Sequence, residues 1–126
     1  MVKATINREQ YQTLLSHAGL ELIADEPVEK GGQHTGFAPS ALLKSALSAC
    51  TAITLRMYAD RKGWPLERVE VDVDFEWQAE LKKTMMTKRI TLFGPLDEDQ
   101  KKRMLQIADL CPVNKILSNP IEITTV

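Results

Sequence analysis

The sequence contains little cysteine: Cys50 and Cys111 are the only two in 126 residues. Two cysteines cannot form the disulfide framework of many small secreted domains, and a chain of this length folds without one. Their separation matches neither the CxxC redox motif nor a zinc-binding pattern, and the two histidines, His17 and His34, stand alone in predicted loops. We therefore expect no metal site, and each cysteine is either a small buried side chain or a redox-active thiol.

An excess of charge of one sign is also missing, and so are long hydrophobic runs. The 16 Lys and Arg residues balance 17 Asp and Glu residues, for a formal net charge of −1. This balance provides no electrostatic attraction for nucleic acid or for an anionic membrane surface. No segment reaches the roughly 18 apolar residues of a transmembrane helix, and residues 1–10 lack the apolar core of a signal peptide. We expect a cytoplasmic protein without nucleic-acid or membrane partners.

The first third of the chain has the patterns of short strands followed by a loop. Apolar and polar residues alternate over residues 2–6. Residues 11–15 and 20–24 predict two strands joined by a turn, although the first of these segments is also compatible with a short helix. Residues 25–36 contain one proline and three glycines and are predicted to form a loop.

A long helix is predicted from Ser40 to Arg61, directly after Pro39. Lys44 is its only charged residue before Leu55, and small or apolar side chains occupy nearly all of its faces. A helix of this kind is buried rather than at the surface. Cys50 lies in the middle of this helix, away from either end.

Two strands with opposite faces are predicted next. In residues 69–77 apolar side chains alternate with acidic ones, which predicts a strand with one solvated face. Residues 85–93 are the predicted antiparallel partner, with Ile90 and Leu92 directed inward. We also expect Lys88 and Arg89 to lie across from this acidic strand, which would favour the pairing of the two strands.

The last third predicts a second helix, a bend and a final strand. Asp97 and Gln100 form a capping-box pattern at the start of the helix. Pro112 disfavours helical geometry at Cys111, so the second cysteine is predicted at a helix end or bend. Residues 113–117 are compatible with one more helical turn, and residues 121–126 predict a strand.

The order of these elements indicates an α+β fold in a single domain, residues 1–126, built on antiparallel sheet and a long buried central helix. A helix that is apolar on all sides needs more cover than one small sheet provides. We infer that a second copy of the chain supplies it, so a homodimer is expected.

The residues alone leave the role of Cys50 open. A cysteine attacks as its thiolate, and a position in mid-helix gains little from the helix dipole, while burial raises the pKa of a thiol. On these grounds a packing role for Cys50 is favoured over a reactive one. Cys111, far away in sequence, could form a dithiol–disulfide pair with Cys50 if the fold brings the two together.

Two segments resemble the OsmC/Ohr family of thiol-dependent peroxidases and their relatives. They are GFAPSALLKSALSACTAITLRMYADRKGWPLERVEV and LFGPLDEDQKKRMLQIADLCPVNKIL, and the resemblance covers residues 31–126. The shared features are the Gly-x-x-Pro entry to the helix, Ala-Cys in mid-helix, Arg-Lys-Gly after it, Gly-x-Leu before the second helix and Cys-Pro at its end. The resemblance implies the OsmC-like fold, with two chains intertwined in a homodimer around the central helices.

The resemblance also implies a mechanism. Cys50 would be the peroxidatic thiolate, which attacks the O–O bond of an organic hydroperoxide or hydrogen peroxide and becomes a sulfenic acid. Cys111 would then condense with it to a disulfide, and an external dithiol, of the lipoyl type in well-known members, would restore both thiols. No metal, flavin or other cofactor is implied.

The family places an arginine from the N-terminal region beside the thiolate, and Arg8 is the only arginine before the central helix. Its guanidinium would stabilise the thiolate and bind a peroxide oxygen. An exposed turn residue is an equally good interpretation of Arg8. Many peroxidatic members carry a glutamate after the helix-opening proline, where this chain has Ser40; Glu29 is a candidate substitute.

Two other interpretations stay open. The first is an OsmC-like dimer that binds a small hydrophobic ligand or a partner with little turnover, suggested by Ser40 and by four methionines. The second is a stable dimer whose thiols are only buried.

Overall fold

The computed structural model describes all 126 residues. The chain forms two compact units, Met1–Leu43 and Lys44–Val126. Helix α1, Pro39–Lys62, begins in the first unit and continues through the second.

The first unit contains a three-stranded antiparallel sheet in the order β1-β2-β3. Its strands are Lys3–Ile6, Thr13–His17 and Leu20–Ala24. Ala18 and Gly19, between β2 and β3, both have positive φ angles, of 49° and 81°, as the tightest hairpin turns require. The predicted pair of strands is therefore confirmed, and the alternative of a short helix is wrong.

The loop after β3 is organised by the buried carboxylate of Asp25, which is 2% exposed. The loop includes one turn of 3-10 helix, Val28–Lys30. One oxygen of Asp25 accepts hydrogen bonds from the backbone N–H groups of Tyr11 and Glu26, at 3.2 and 2.8 Å. The other accepts from the backbone N–H groups of Gln33 and Thr35, at 3.2 and 3.1 Å, and from the Thr35 hydroxyl at 2.6 Å.

This hydrogen bonding keeps the Asp25 carboxyl ionised. The Thr35 hydroxyl and the backbone N–H donors outweigh the effect of burial and hold the pKa of Asp25 far below its usual value. The loop also folds closely on itself. The backbone at Gly32 lies so near the Glu26 carbonyl that any side chain at this position would collide with it.

Helix α1 confirms the predicted helix and its bounds within one residue. Its buried face in the second unit consists of Leu47, Thr51, Leu55, Tyr58 and Ala59. Other apolar residues of the helix are largely exposed within one chain: Leu43 at 45%, Ile53 at 58% and Met57 at 66%. A single chain thus covers one face of α1 and leaves an apolar face open.

Strands β4, Arg68–Gln78, and β5, Lys83–Phe93, form the antiparallel hairpin of the second unit. Arg89 pairs with Asp72 as predicted. Lys88 also lies across from β4 as predicted, but its partner there is Val73, on the inward face. Side chains alternate between the two faces of a strand, so Lys88 shares a face with Ile90 and Leu92 rather than with Arg89.

Helix α2, Glu98–Ala108, begins with the predicted capping box of Asp97 and Gln100. Together with the second half of α1 it covers the inward face of the β4-β5 hairpin. The core residues from α1, α2 and the connecting segments are Leu55, Tyr58, Ala59, Leu66, Leu96, Met104, Ile107 and Ala108.

The chain closes with α3, Pro112–Leu117, whose N-cap residue is Cys111. The strand predicted over residues 121–126 is absent, since a strand requires a hydrogen-bonded neighbour and this segment pairs with none in the chain. None of the helices has the length and apolar character needed to cross a bilayer.

Candidate functional site

The two cysteines, 61 positions apart in sequence numbering, lie together in the second unit. Cys50, in mid-α1, is partly exposed, whereas Cys111, at the start of α3, is fully buried. The Cys50 side chain is close enough to Cys111 to help lower the pKa of the Cys111 thiol. Both are free thiols, so the site combines a partly exposed cysteine with a buried one.

Two further polar groups lie against the sulfur of Cys111. The backbone N–H of Asn114 donates to it at 3.3 Å, as the cap of α3. The hydroxyl oxygen of Thr51, one residue after Cys50, lies 3.6 Å from it. The same hydroxyl also donates to the carbonyl of Leu47 at 2.8 Å. Because a hydroxyl can rotate, Thr51 can accept from the neutral thiol or donate to the thiolate.

Lys88 brings a positive charge to this region from the inward face of β5. Its Nζ donates to the carbonyl oxygen of Ala108 at 2.9 Å and pairs with a carboxylate oxygen of Asp109 at 3.1 Å. The Lys88 side chain is 11% exposed, whereas that of Asp109 is 72% exposed. Sequence reasoning missed this residue, although its alternation with Ile90 and Leu92 placed it on the inward face.

These surroundings favour the ionised form of Cys111. Burial raises the pKa of the Cys111 thiol, but the opposing effects are together larger. They are the hydrogen bonds from Thr51, Asn114 and Cys50 and the positive charge of Lys88. The net result is a pKa of Cys111 below the ordinary value for a thiol. The structure thus stabilises a negative charge on the buried cysteine of the pair.

An apolar groove of about 470 Å³ lies next to the thiols. Thr54 lines it one helical turn after Cys50, and Leu110 lines it directly before Cys111. Its other lining residues are Met57, Tyr58, Arg61 and Ile107. The groove offers an apolar surface to an organic molecule that reaches the accessible sulfur.

Arg8 lies in the first unit, between β1 and β2, with an exposed side chain. Its role beside Cys50 stays a prediction. Ser40 and Glu29 are exposed as well, Ser40 in the first turn of α1 and Glu29 in the 3-10 helix. No group of three or more His, Cys, Asp or Glu side chains is arranged to hold a metal ion.

Antiparallel sheets, a long helix carrying one cysteine and a helix cap carrying the second define an α+β protein with a paired-thiol site. The family model described as OsmC-like protein matches residues 31–126. The chain therefore belongs to the OsmC-like protein family. No curated protein matches the sequence.

Solved structures show the same fold. An OsmC-like protein from Mycoplasma pneumoniae has a TM-score of 0.79 at 18% identity, over 94% of this chain and 86% of the other. A candidate osmotic stress induced and detoxification response protein from Psychrobacter arcticus 273-4 has a TM-score of 0.76 at 24% identity, over 91% and 85%. An organic hydroperoxide resistance protein OsmC from Legionella pneumophila has a TM-score of 0.66 at 20% identity, over 92% and 86%.

Proposed function

We propose that this protein is a cysteine-based peroxidase that reduces organic hydroperoxides or hydrogen peroxide, with Cys50 as the attacking and Cys111 as the resolving residue. The observation that carries the proposal is the proximity of one partly exposed and one buried thiol. A peroxide from solvent reaches Cys50 first, and the product of that attack is formed next to Cys111. The similarity to a protein called an organic hydroperoxide resistance protein agrees with this chemistry.

In the first step the Cys50 thiolate attacks one oxygen of the peroxide and the O–O bond breaks. The alkoxide or hydroxide leaves and takes a proton, and Cys50 becomes a sulfenic acid. In the second step the Cys111 thiolate attacks the Cys50 sulfur, and hydroxide leaves as the disulfide forms. The sum converts two thiols and one peroxide into a disulfide, an alcohol and water.

The remaining parts of the cycle belong to the same proposal. An external dithiol, lipoyl-type by resemblance, reduces the disulfide by thiol–disulfide exchange, and the cytoplasm is the compartment that supplies such reductants. The groove at Thr54 and Leu110 receives the organic part of the peroxide. Arg8 stabilises the charge at Cys50, as the family resemblance implies.

The decisive experiment is peptide mapping of the reduced protein after one equivalent of cumene hydroperoxide. The expected result is the loss of two hydrogen atoms and a Cys50–Cys111 crosslink within seconds. Cys111→Ser should stop at the Cys50 sulfenic acid, and Cys50→Ser should lose peroxide consumption by at least about 100-fold. Two unmodified thiols after minutes, or full consumption by Cys50→Ser, would contradict the proposal.

We also propose that the protein works as a homodimer. Leu43, Ile53 and Met57 expose an apolar face of α1 within one chain, and burial of such a face is a main driving force of association. Sedimentation should show a dimer at micromolar concentration, and Ile53→Glu should shift it to the monomer. A wild-type monomer at that concentration would overturn this part.

The groove favours a second candidate function, the binding of a small hydrophobic ligand with little turnover. Met57, Ile107 and Leu110 give it apolar surface, and Thr54, Tyr58 and Arg61 complete the lining. Native mass spectrometry of the purified protein distinguishes the two functions. A co-purified ligand together with unreactive thiols would support binding, and an empty protein that consumes peroxide would exclude it.

A further inference from the structure

One cation occupies an otherwise apolar row on the inward face of β5. Met86, Ile90 and Leu92 share this face with Lys88, and an apolar residue at position 88 would continue the row. An ammonium group that is taken out of water is costly unless partners replace its hydration. The Ala108 carbonyl and the Asp109 carboxylate provide two such partners.

Those two partners explain how Lys88 is tolerated. They do not by themselves explain why a charge is placed there. A lysine at the last carbonyls of α2 interacts favourably with the helix dipole, which is one contribution. The second consequence lies at Cys111, three residues beyond Ala108, where the positive charge favours the thiolate. Burial reduces solvent screening, so this effect is larger than at the surface.

We propose that Lys88 is a positioning residue for the resolving step: its ammonium group, fixed at the end of α2 by Ala108 and Asp109, acts together with Thr51 and the Asn114 N–H to favour attack by Cys111 on Cys50. The proposal rests on the peroxidase function above and adds a residue to it. The step is an attack of the Cys111 thiolate on the sulfur of the Cys50 sulfenic acid. The S–S bond forms, the S–O bond breaks, and hydroxide leaves and is protonated by solvent.

Charged or titratable groups reach Cys111 from several packed elements. Helix α1 brings Cys50, strand β5 brings Lys88, and the turn after α2 brings Asp109, which acts through its ion pair with Lys88. Asp109 partly neutralises Lys88, so its removal should favour the thiolate, while removal of Lys88 should disfavour it. The two substitutions therefore have opposite expected effects, although both break the same ion pair.

The test follows sulfenic acid and disulfide separately by rapid quench after one equivalent of cumene hydroperoxide. In Lys88→Met the rate of disulfide formation at neutral pH should fall about tenfold, which is one unit of thiol pKa, and its pH inflection should move upward. Lys88→Arg keeps the charge and should restore both. Asp109→Asn should leave the rate unchanged or raise it. Wild-type rate and inflection in Lys88→Met would overturn the proposal, as would an equal loss in Lys88→Arg with an unmoved inflection.

A second measurement does not depend on peroxide chemistry. The ultraviolet absorbance of the Cys111 thiolate is titrated in Cys50→Ser, with and without Lys88→Met. The expected result is ionisation of Cys111 at higher pH in the double variant. If this shift appears while the wild-type protein forms no sulfenic acid, the peroxidase function is wrong. Lys88 then still lowers the pKa of Cys111, but this effect does not contribute to a resolving step.

Thermal melting shows whether each variant is folded. If Lys88→Met does not fold, the comparison of Asp109→Asn with wild type decides. Ionisation of Cys111 at higher pH in Asp109→Asn would overturn the proposal, and ionisation at the same or lower pH would support it.

Discussion

Two buried acidic groups, Asp25 in the first unit and Cys111 in the second, are held by the same kinds of donor. Each has a threonine hydroxyl and backbone N–H groups around it. At Asp25 four backbone N–H groups and one hydroxyl complete the set, so the charge is fixed and serves to organise a loop.

At Cys111 a lysine and a second thiol take the place of most of the backbone donors. A thiol starts from a much higher pKa than a carboxyl group, so these surroundings lower the pKa of Cys111 from a higher starting value. The comparison teaches that a buried anion becomes structural when its intrinsic pKa is low and its donors are backbone groups. Cys111 differs in both respects, because a thiol has a higher intrinsic pKa and its surroundings here include side chains of α1 and β5.

The largest effect on this comparison should come from Asp25→Asn. Either orientation of the asparagine amide turns an NH₂ group toward N–H donors that now point at a carboxylate oxygen. Donors without an acceptor destabilise the folded state, so the thermal midpoint should fall by about 10 °C. Differential scanning calorimetry measures it, and an unchanged midpoint would show that the loop is not organised by Asp25.

Substitution of the threonine at each site should have a smaller effect than Asp25→Asn. The two substitutions should affect different properties, the reaction rate at one site and the stability at the other. Thr51→Val removes a hydroxyl beside Cys111 at nearly constant volume and should slow disulfide formation about threefold at neutral pH. Thr35→Val makes the same change beside Asp25 and should lower the thermal midpoint with less effect on that rate. Rapid-quench kinetics and melting on both variants check this; the reverse pattern would contradict the contrast between the sites.

The smallest effect is the pH dependence of stability. Because the pKa of Cys111 is lowered in the folded state, its stabilising contribution is present above the ordinary thiol value of about 8.5 and is lost as pH falls through the folded-state value. Under reducing conditions, the melting difference between wild type and Cys111→Ser should therefore grow by a few degrees from about pH 6 to about pH 9.

Asp25 provides the matched control for this measurement. Its pKa is also lowered on folding, but the unfolded value is about 3.9, so its contribution is already complete above about pH 5. The melting difference between wild type and Asp25→Asn should stay constant over the same range. A melting difference that changes with pH for Asp25→Asn, or one that stays constant for Cys111→Ser, would contradict this contrast between the two buried groups.

Much of the fold could be predicted from local patterns. The alternation of residues 69–77, the Asp97–Gln100 capping box and the helix between Pro39 and Gly63 all depend on neighbouring residues, and each was confirmed. The strand over residues 121–126 was predicted wrongly because alternation shows strand compatibility and not the presence of a pairing partner. Lys88 was correctly expected across from β4, but its position on the inward face, in phase with Ile90 and Leu92, was not predicted.

The sequence by itself determined the α+β order of elements, the family resemblance and the two cysteines as the residues of interest. Only the tertiary structure brought Cys50 and Cys111 together, buried Cys111 while leaving Cys50 partly exposed, and placed the charge of Lys88 near Cys111. The physical reason is that helices, turns and caps follow from contacts within a few residues. Burial and electrostatic surroundings depend on segments such as α1, β5 and α3, which meet only after the chain has folded.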